Sequence, residues 1–188
     1  MPTLVSDVLE TLESHAVARA DWAAYSYGGL VAATLAAAAP ERIGRLALLE
    51  PALGLRPDIC LEYAGREFDT SSYASGEEAV AALLEDEWIF HAPREMLEEE
   101  VQTNMVRGQD GRLRYRYDRA AAIVAWSEMA RRPPEVADVR TLIVVGKRSP
   151  LTVDTGRFPE ADVVAVPGGH SVLWDAFGPT AAALQRFL

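Results

Sequence analysis

The chain has 188 residues, 49% hydrophobic and 24% charged, the balance of a globular protein able to bury one sizeable core. Its net charge of −10 and isoelectric point near 4.8 set a field that repels phosphate backbones and anionic bilayers, arguing against nucleic-acid and membrane-surface partners. One cysteine excludes an internal disulfide and fits a cytoplasmic setting, and no basic start followed by an apolar run marks a secretory signal.

In chain order, Val5 to Ala16 is expected to be an amphipathic helix, because Val5, Val8, Leu9 and Leu12 recur at helical spacing. Asp7 and Glu10 are placed to form a capping box at its start. Ala18 to Ala24 reads as a strand, Leu30 to Ala39 as a buried alanine-rich helix, and Arg45 to Leu49 as a second strand. Together they form a βαβ unit with a parallel pair. The apolar stretch from Leu30 is too short to span a bilayer.

From Arg56 to Val136 the chain is rich in helix formers and charge. Helices are expected near Gly76 to Glu87, Pro93 to Val106 and Asp118 to Arg131, with a break at Gln109-Asp110-Gly111 and a stop at Pro133-Pro134. Arg112, Arg114 and Arg116 alternate with Leu113, Tyr115 and Tyr117, as in a short extended stretch. Thr141 to Val145 and Asp162 to Val166 complete four strand candidates, and Pro179 to Leu188 closes the chain as a helix.

The chemistry-bearing signal is Ala24-Tyr25-Ser26-Tyr27-Gly28-Gly29, where an apolar strand runs into a serine among small residues and then into a helix. A strand–sharp turn–helix sequence lifts the serine hydroxyl above the sheet as a nucleophile elbow does. Gly28 and Gly29 are expected to leave room for the turn and for close helix–sheet packing. Of the three histidines, His15 suits a helix C-terminus, and His91 reads as a surface or pocket position. His170 follows the strand ending at Val166 through Pro167-Gly168-Gly169, a turn able to hold a general base near Ser26. No histidine pair has metal-ligand spacing and Cys60 is alone, so neither a metal nor another cofactor is expected.

In this elbow, in the strand ending Glu50-Pro51, in the strand closing at Gly146 before Ser149-Pro150, and in the terminal Gly-Gly-His-Ser, the sequence resembles the α/β-hydrolase family. The resemblance implies a partial α/β-hydrolase fold, with a mostly parallel sheet of four strands, flanking helices and a helical cap insertion. The chain would divide into a first core part (1–55), the cap (56–136) and a second core part (137–188). The implied function is an esterase or thioesterase acting on a small apolar acyl ester. Ser26 would be nucleophile and His170 general base, with Tyr27 supplying an oxyanion amide and Tyr25 and Trp126 contacting substrate. Trp88, Phe90, Met96, Met105 and Met129 are the other large apolar groups of the cap, expected to pack it or line an acyl pocket.

Three departures accompany the resemblance. Ala24 replaces the first glycine of G-x-S-x-G, and the first half of the family sheet, with its second oxyanion donor, has no counterpart. Where the family often carries its acid stands Ser149. Glu50, at the end of the strand after the nucleophile helix, is the leading substitute; Asp154 is another, and a site with no functional acid is a third. The incomplete machinery also leaves open a non-hydrolytic protein, either a small-molecule binder or a cyclase or isomerase. With its neighbouring strands missing, Ala18 to Ala24 should present an open edge, inviting a homodimer or a partner segment.

Overall fold

The computed structural model describes residues 1–68, 72–85 and 92–188. Helix α1 (Pro2–Ser14) leads into strand β1 (Ala20–Tyr25), helix α2 (Tyr27–Ala38), a 3₁₀ turn at Pro40–Arg42 and strand β2 (Ile43–Leu49). Helices α3 (Pro57–Arg66), α4 (Gly76–Glu85) and α5 (Arg94–Asn104) follow, then a hairpin of β3 (Met105–Arg107) and β4 (Leu113–Tyr115), and helix α6 (Arg119–Met129). Strands β5 (Thr141–Gly146) and β6 (Asp162–Val166), the short helix α7 (Val172–Asp175) and helix α8 (Phe177–Phe187) complete the chain.

The main sheet has the order β1-β2-β5-β6, and every pair is parallel. Side chains alternate across it as the pleat requires. From β2 and β5, Leu46, Leu48 and Ile143 face a core shared with α2, whereas Ala47, Leu49, Leu142 and Val144 face one shared with α7 and α8. Helix α2 is apolar on every side and correspondingly buried, with Leu35 and Ala33 fully inside. Burying a leucine of this kind contributes about 1.5–3 kcal/mol. A third cluster joins α4, α5 and β3 through Ala79, Val80, Leu97, Val101 and Met105.

Strand β1 lies at the sheet edge, and none of its six residues is buried, while its neighbour β2 is buried over most of its length. The strand pairs only with β2 among the described residues.

Several expectations need correction. Helix α1 begins at Pro2, whose missing N–H costs nothing at a first helical position, so Asp7 and Glu10 lie inside it and form no capping box. Instead, the Ser6 hydroxyl donates to Glu10. Helix α3 and helix α7 were not expected. The alternating arginine stretch is half of a hairpin whose partner strand, Met105–Arg107, takes over the last two residues of the helix expected from Pro93 to Val106. The expected tail of α4 at Asp86 and Glu87, together with Trp88, Phe90 and His91, lies outside the described residues.

Candidate active site

Ser26 sits between the end of β1 and the first turn of α2, with φ 51° and ψ −121°. A non-glycine residue held there stores roughly 1–3 kcal/mol and persists only where its surroundings fix it. Three backbone hydrogen bonds do so: the Ser26 N–H donates to Leu49 O (3.1 Å), and Ser26 O accepts from Gly29 (2.9 Å) and Ala52 (3.0 Å). Gly29 is required by packing, because a Cβ there would lie 2.7 Å from Pro51 Cβ. Gly28 meets no such constraint: a Cβ at that position has open space around it, so its expected packing role is not seen.

One strand along, Glu50 closes β2 with another positive φ, 43°, and is 1% exposed. Its carboxylate collects three donors. Oε1 accepts the Gly146 N–H at 2.5 Å, and Oε2 accepts the Ser149 hydroxyl at 2.5 Å and faces His170 Nδ1 at 3.2 Å. The other imidazole nitrogen, Nε2, is 2.9 Å from Ser26 Oγ. A carboxylate can only accept, so it places the ring proton on Nδ1 and leaves Nε2 free to accept from the Ser26 hydroxyl. Ser26, His170 and Glu50 are thus brought into one hydrogen-bonded line from the ends of β1, β6 and β2. Ser149 is in that line as well, as a donor to the acid.

Asp154 is elsewhere. It is exposed, its side chain accepts from Gly156 N–H at the 3₁₀ turn Thr155–Arg157, and Arg157 lies beside it. His15 caps the C-terminus of α1 in solvent, away from this line. Cys60 is buried, and burial pushes its thiol up.

Above Ser26 and His170 opens a cavity of about 530 Å³. Tyr25, Tyr27 and Trp126 line it, and so does Met129. The Tyr25 ring lies 5.1 Å from the His170 ring, and burial pushes its phenol up to about 12, with the Ser171 hydrogen bond opposing the rise. The Tyr27 N–H is the first amide of α2, a position with no acceptor inside the helix. Met96 is 38% exposed and Met105 is buried in the third core, so neither lines the cavity.

Much of the aromatic wall was not foreseen. Tyr63 stacks on Trp126 at 4.8 Å, Tyr115 stacks on Tyr117 at 5.2 Å, and Tyr73 and Trp174 also line the space. These rings come from distant points of the chain, and no local spacing could have joined them. The alternation around Tyr115 and Tyr117 was the one usable signal. Among the described residues no group of three His, Cys, Asp or Glu side chains could hold a metal ion. Nor, among them, is any helix long and apolar enough to cross a membrane.

No family model matches the chain. In sequence it is 32% identical over 131 residues to Lipase LipV of Mycobacterium tuberculosis, an alignment covering 69% of this chain and 50% of that one. The chain therefore spans half the length of this curated relative. Among solved structures it is similar to E-2-(acetamidomethylene)succinate hydrolase, with TM-score 0.79 and 19% identity over 97% of this chain and 71% of the other. It is also similar to an alpha/beta hydrolase from Novosphingobium aromaticivorans, with TM-score 0.72 and 21% identity over 97% and 70%.

Proposed function

We propose a function from one premise: the chain carries a partial α/β-hydrolase fold. On that premise it is a serine hydrolase of the esterase or thioesterase type, acting on a small apolar acyl ester. The observation that carries the reading is the line Ser26 Oγ–His170 Nε2–Glu50, at 2.9 and 3.2 Å, at the floor of a largely aromatic cavity. Similarity to a lipase over 131 residues supports the same reaction class.

In the proposed reaction, Ser26 Oγ attacks the acyl carbonyl while His170 Nε2 takes its proton. Glu50 stabilises the imidazolium and holds its orientation. The carbonyl oxygen becomes an oxyanion facing the Tyr27 N–H. His170 then returns the proton to the departing alcohol or thiol, leaving an acyl group on Ser26. Water, deprotonated by His170, attacks the acyl-enzyme and releases the acid. No cofactor enters these steps. Residues 56–136 act as the cap, with Trp126 and Tyr63 forming part of the acyl wall. A single cysteine, with no second one to pair with in the chain, fits a cytoplasmic site of action.

A non-hydrolytic reading, small-molecule binding or isomerisation in the same cavity, follows where the Tyr27 N–H is the lone oxyanion donor among the described residues. Loss of one oxyanion donor costs roughly 3–4 kcal/mol elsewhere. The two readings separate on intact mass after treatment with a fluorophosphonate probe. A hydrolase gains one adduct that Ser26→Ala abolishes; a folded protein without an adduct is a binder or isomerase. The unshielded β1 edge is the proposed site of a homodimer, and sedimentation velocity showing a monomer at micromolar concentration rejects that assembly.

A further inference from the structure

We propose that Asp175 is a positioning residue for His170, a role that rests on the hydrolase reading. Asp175 ends α7, and its side chain is 4% exposed. Oδ2 accepts the Gly169 N–H at 2.6 Å and faces the Arg148 guanidinium at 3.3 Å. Oδ1 is buried and has no donor among the described residues.

The loop this carboxylate grips is confined from two sides. A Cβ on Gly168 would lie 2.5 Å from Asp175 Oδ1 and 2.8 Å from Ala176 Cβ, so glycine at 168 lets the loop sit against both. On the opposite side, Gly146 at the end of β5 admits the carbonyls of Gly168 and Gly169, which would lie 2.6 and 2.1 Å from a Cβ there. The Arg148 N–H donates to Gly168 O at 2.8 Å. The peptide units immediately before His170 are therefore clamped between the β5 terminus and Asp175.

Stability alone does not account for this residue. A buried polar atom left without a partner costs about 1–3 kcal/mol, and such costs gather where geometry serves function. The bond to Gly169 is charge-assisted and correspondingly strong. It fixes the peptide that sets the direction of the imidazole, and a misplacement near 1 Å at a reacting group costs on the order of 100-fold in rate.

The test is saturation kinetics of fluorophosphonate inactivation, which separates probe binding (KI) from bond formation (kinact). Asp175→Ala is expected to lower kinact at least tenfold with KI unchanged. Asp175→Asn, which keeps an acceptor for the Gly169 N–H, restores kinact to within threefold. If Asp175→Ala does not fold, Gly168→Ala, whose methyl meets Asp175 Oδ1 and Ala176 Cβ, is expected to lower kinact likewise. The proposal is overturned if kinact stays at the wild-type value in Asp175→Ala, or in Gly168→Ala where that variant stands in for it. It is also overturned if Asp175→Asn is as slow as Asp175→Ala. A wild-type protein that never labels rejects the hydrolase reading instead. The positioning role is then read by ¹⁵N NMR of the His170 imidazole, where ring shifts unchanged in Asp175→Ala reject it.

Discussion

Replacing Glu50 by glutamine removes one charge with almost no change in volume, at a residue that is 1% exposed. Three donors converge on the carboxylate, from Gly146 N–H, Ser149 Oγ and His170 Nδ1. An amide offers one oxygen acceptor and one NH₂, which cannot face the fixed Gly146 N–H without opposing it. Its oxygen therefore stays on Gly146, and the NH₂ turns towards Ser149 and His170. The hydroxyl can rotate to accept. The imidazole must move its proton to Nε2, where it blocks acceptance from Ser26. Loss of a hydrogen bond to a charged group is worth about 1.5–3 kcal/mol, or roughly 10- to 150-fold. A wrong tautomer reaches about 10⁴-fold in systems where the triad acid has become an amide. Glu50→Gln is thus expected to slow fluorophosphonate labelling of Ser26 by roughly 10²- to 10⁴-fold, read as a second-order rate constant on folded protein. Labelling within threefold of the wild-type rate would refute the role of Glu50 and the tautomer argument together.

Asp154→Ala removes an exposed carboxylate remote from His170, and labelling is expected within twofold of wild type by the same assay. Gly29→Ala forces a methyl against Pro51 and is expected to cost about 1–3 kcal/mol in urea unfolding. Gly28→Ala enters open space in a helix and is expected to raise the unfolding free energy by up to about 1 kcal/mol in the same assay. Tyr25 has its phenol raised by burial to about 12, against an ordinary value of 10.0. The folded state therefore favours the protonated phenol. Stability is full below pH 10 and declines as pH rises towards 12, by on the order of 2 kcal/mol. Urea midpoints across that range should fall less steeply in Tyr25→Phe.

The strands were legible because each is a short apolar run bounded by turn residues. Helix α2 was legible because alanine and leucine fill it on every side. Ser26, Glu50 and His170 stood out for a related reason: each directly follows a strand or the tight turn after one, where side chains gather on one sheet edge. The rest needed contacts that one chain segment does not reveal. Helix α3 buries only Cys60 and Tyr63, too little to stamp a helical period on its sequence. The β3–β4 hairpin is short, and Val106 and Arg107 face solvent, so Met105 looked like a continuation of α5. Ser149 read as a position where an acid was missing, because nothing local said that its hydroxyl would donate to a carboxylate 99 residues earlier. Gly28 misled in the other direction, since its motif position suggested packing that the structure does not contain.

The 2.5 Å contact between Ser149 Oγ and Glu50 Oε2 also bears on how such a site changes through descent. The loop after β5 and the end of β2 deliver side chains to one spot, within a hydrogen bond of each other. A lineage that acquires an aspartate at 149 while keeping Glu50 would set two carboxyls side by side. One of them would hold a proton, because like charges at that separation do not both ionise. While both acids are present the histidine keeps an anionic partner, and the shared proton makes either one the charge carrier.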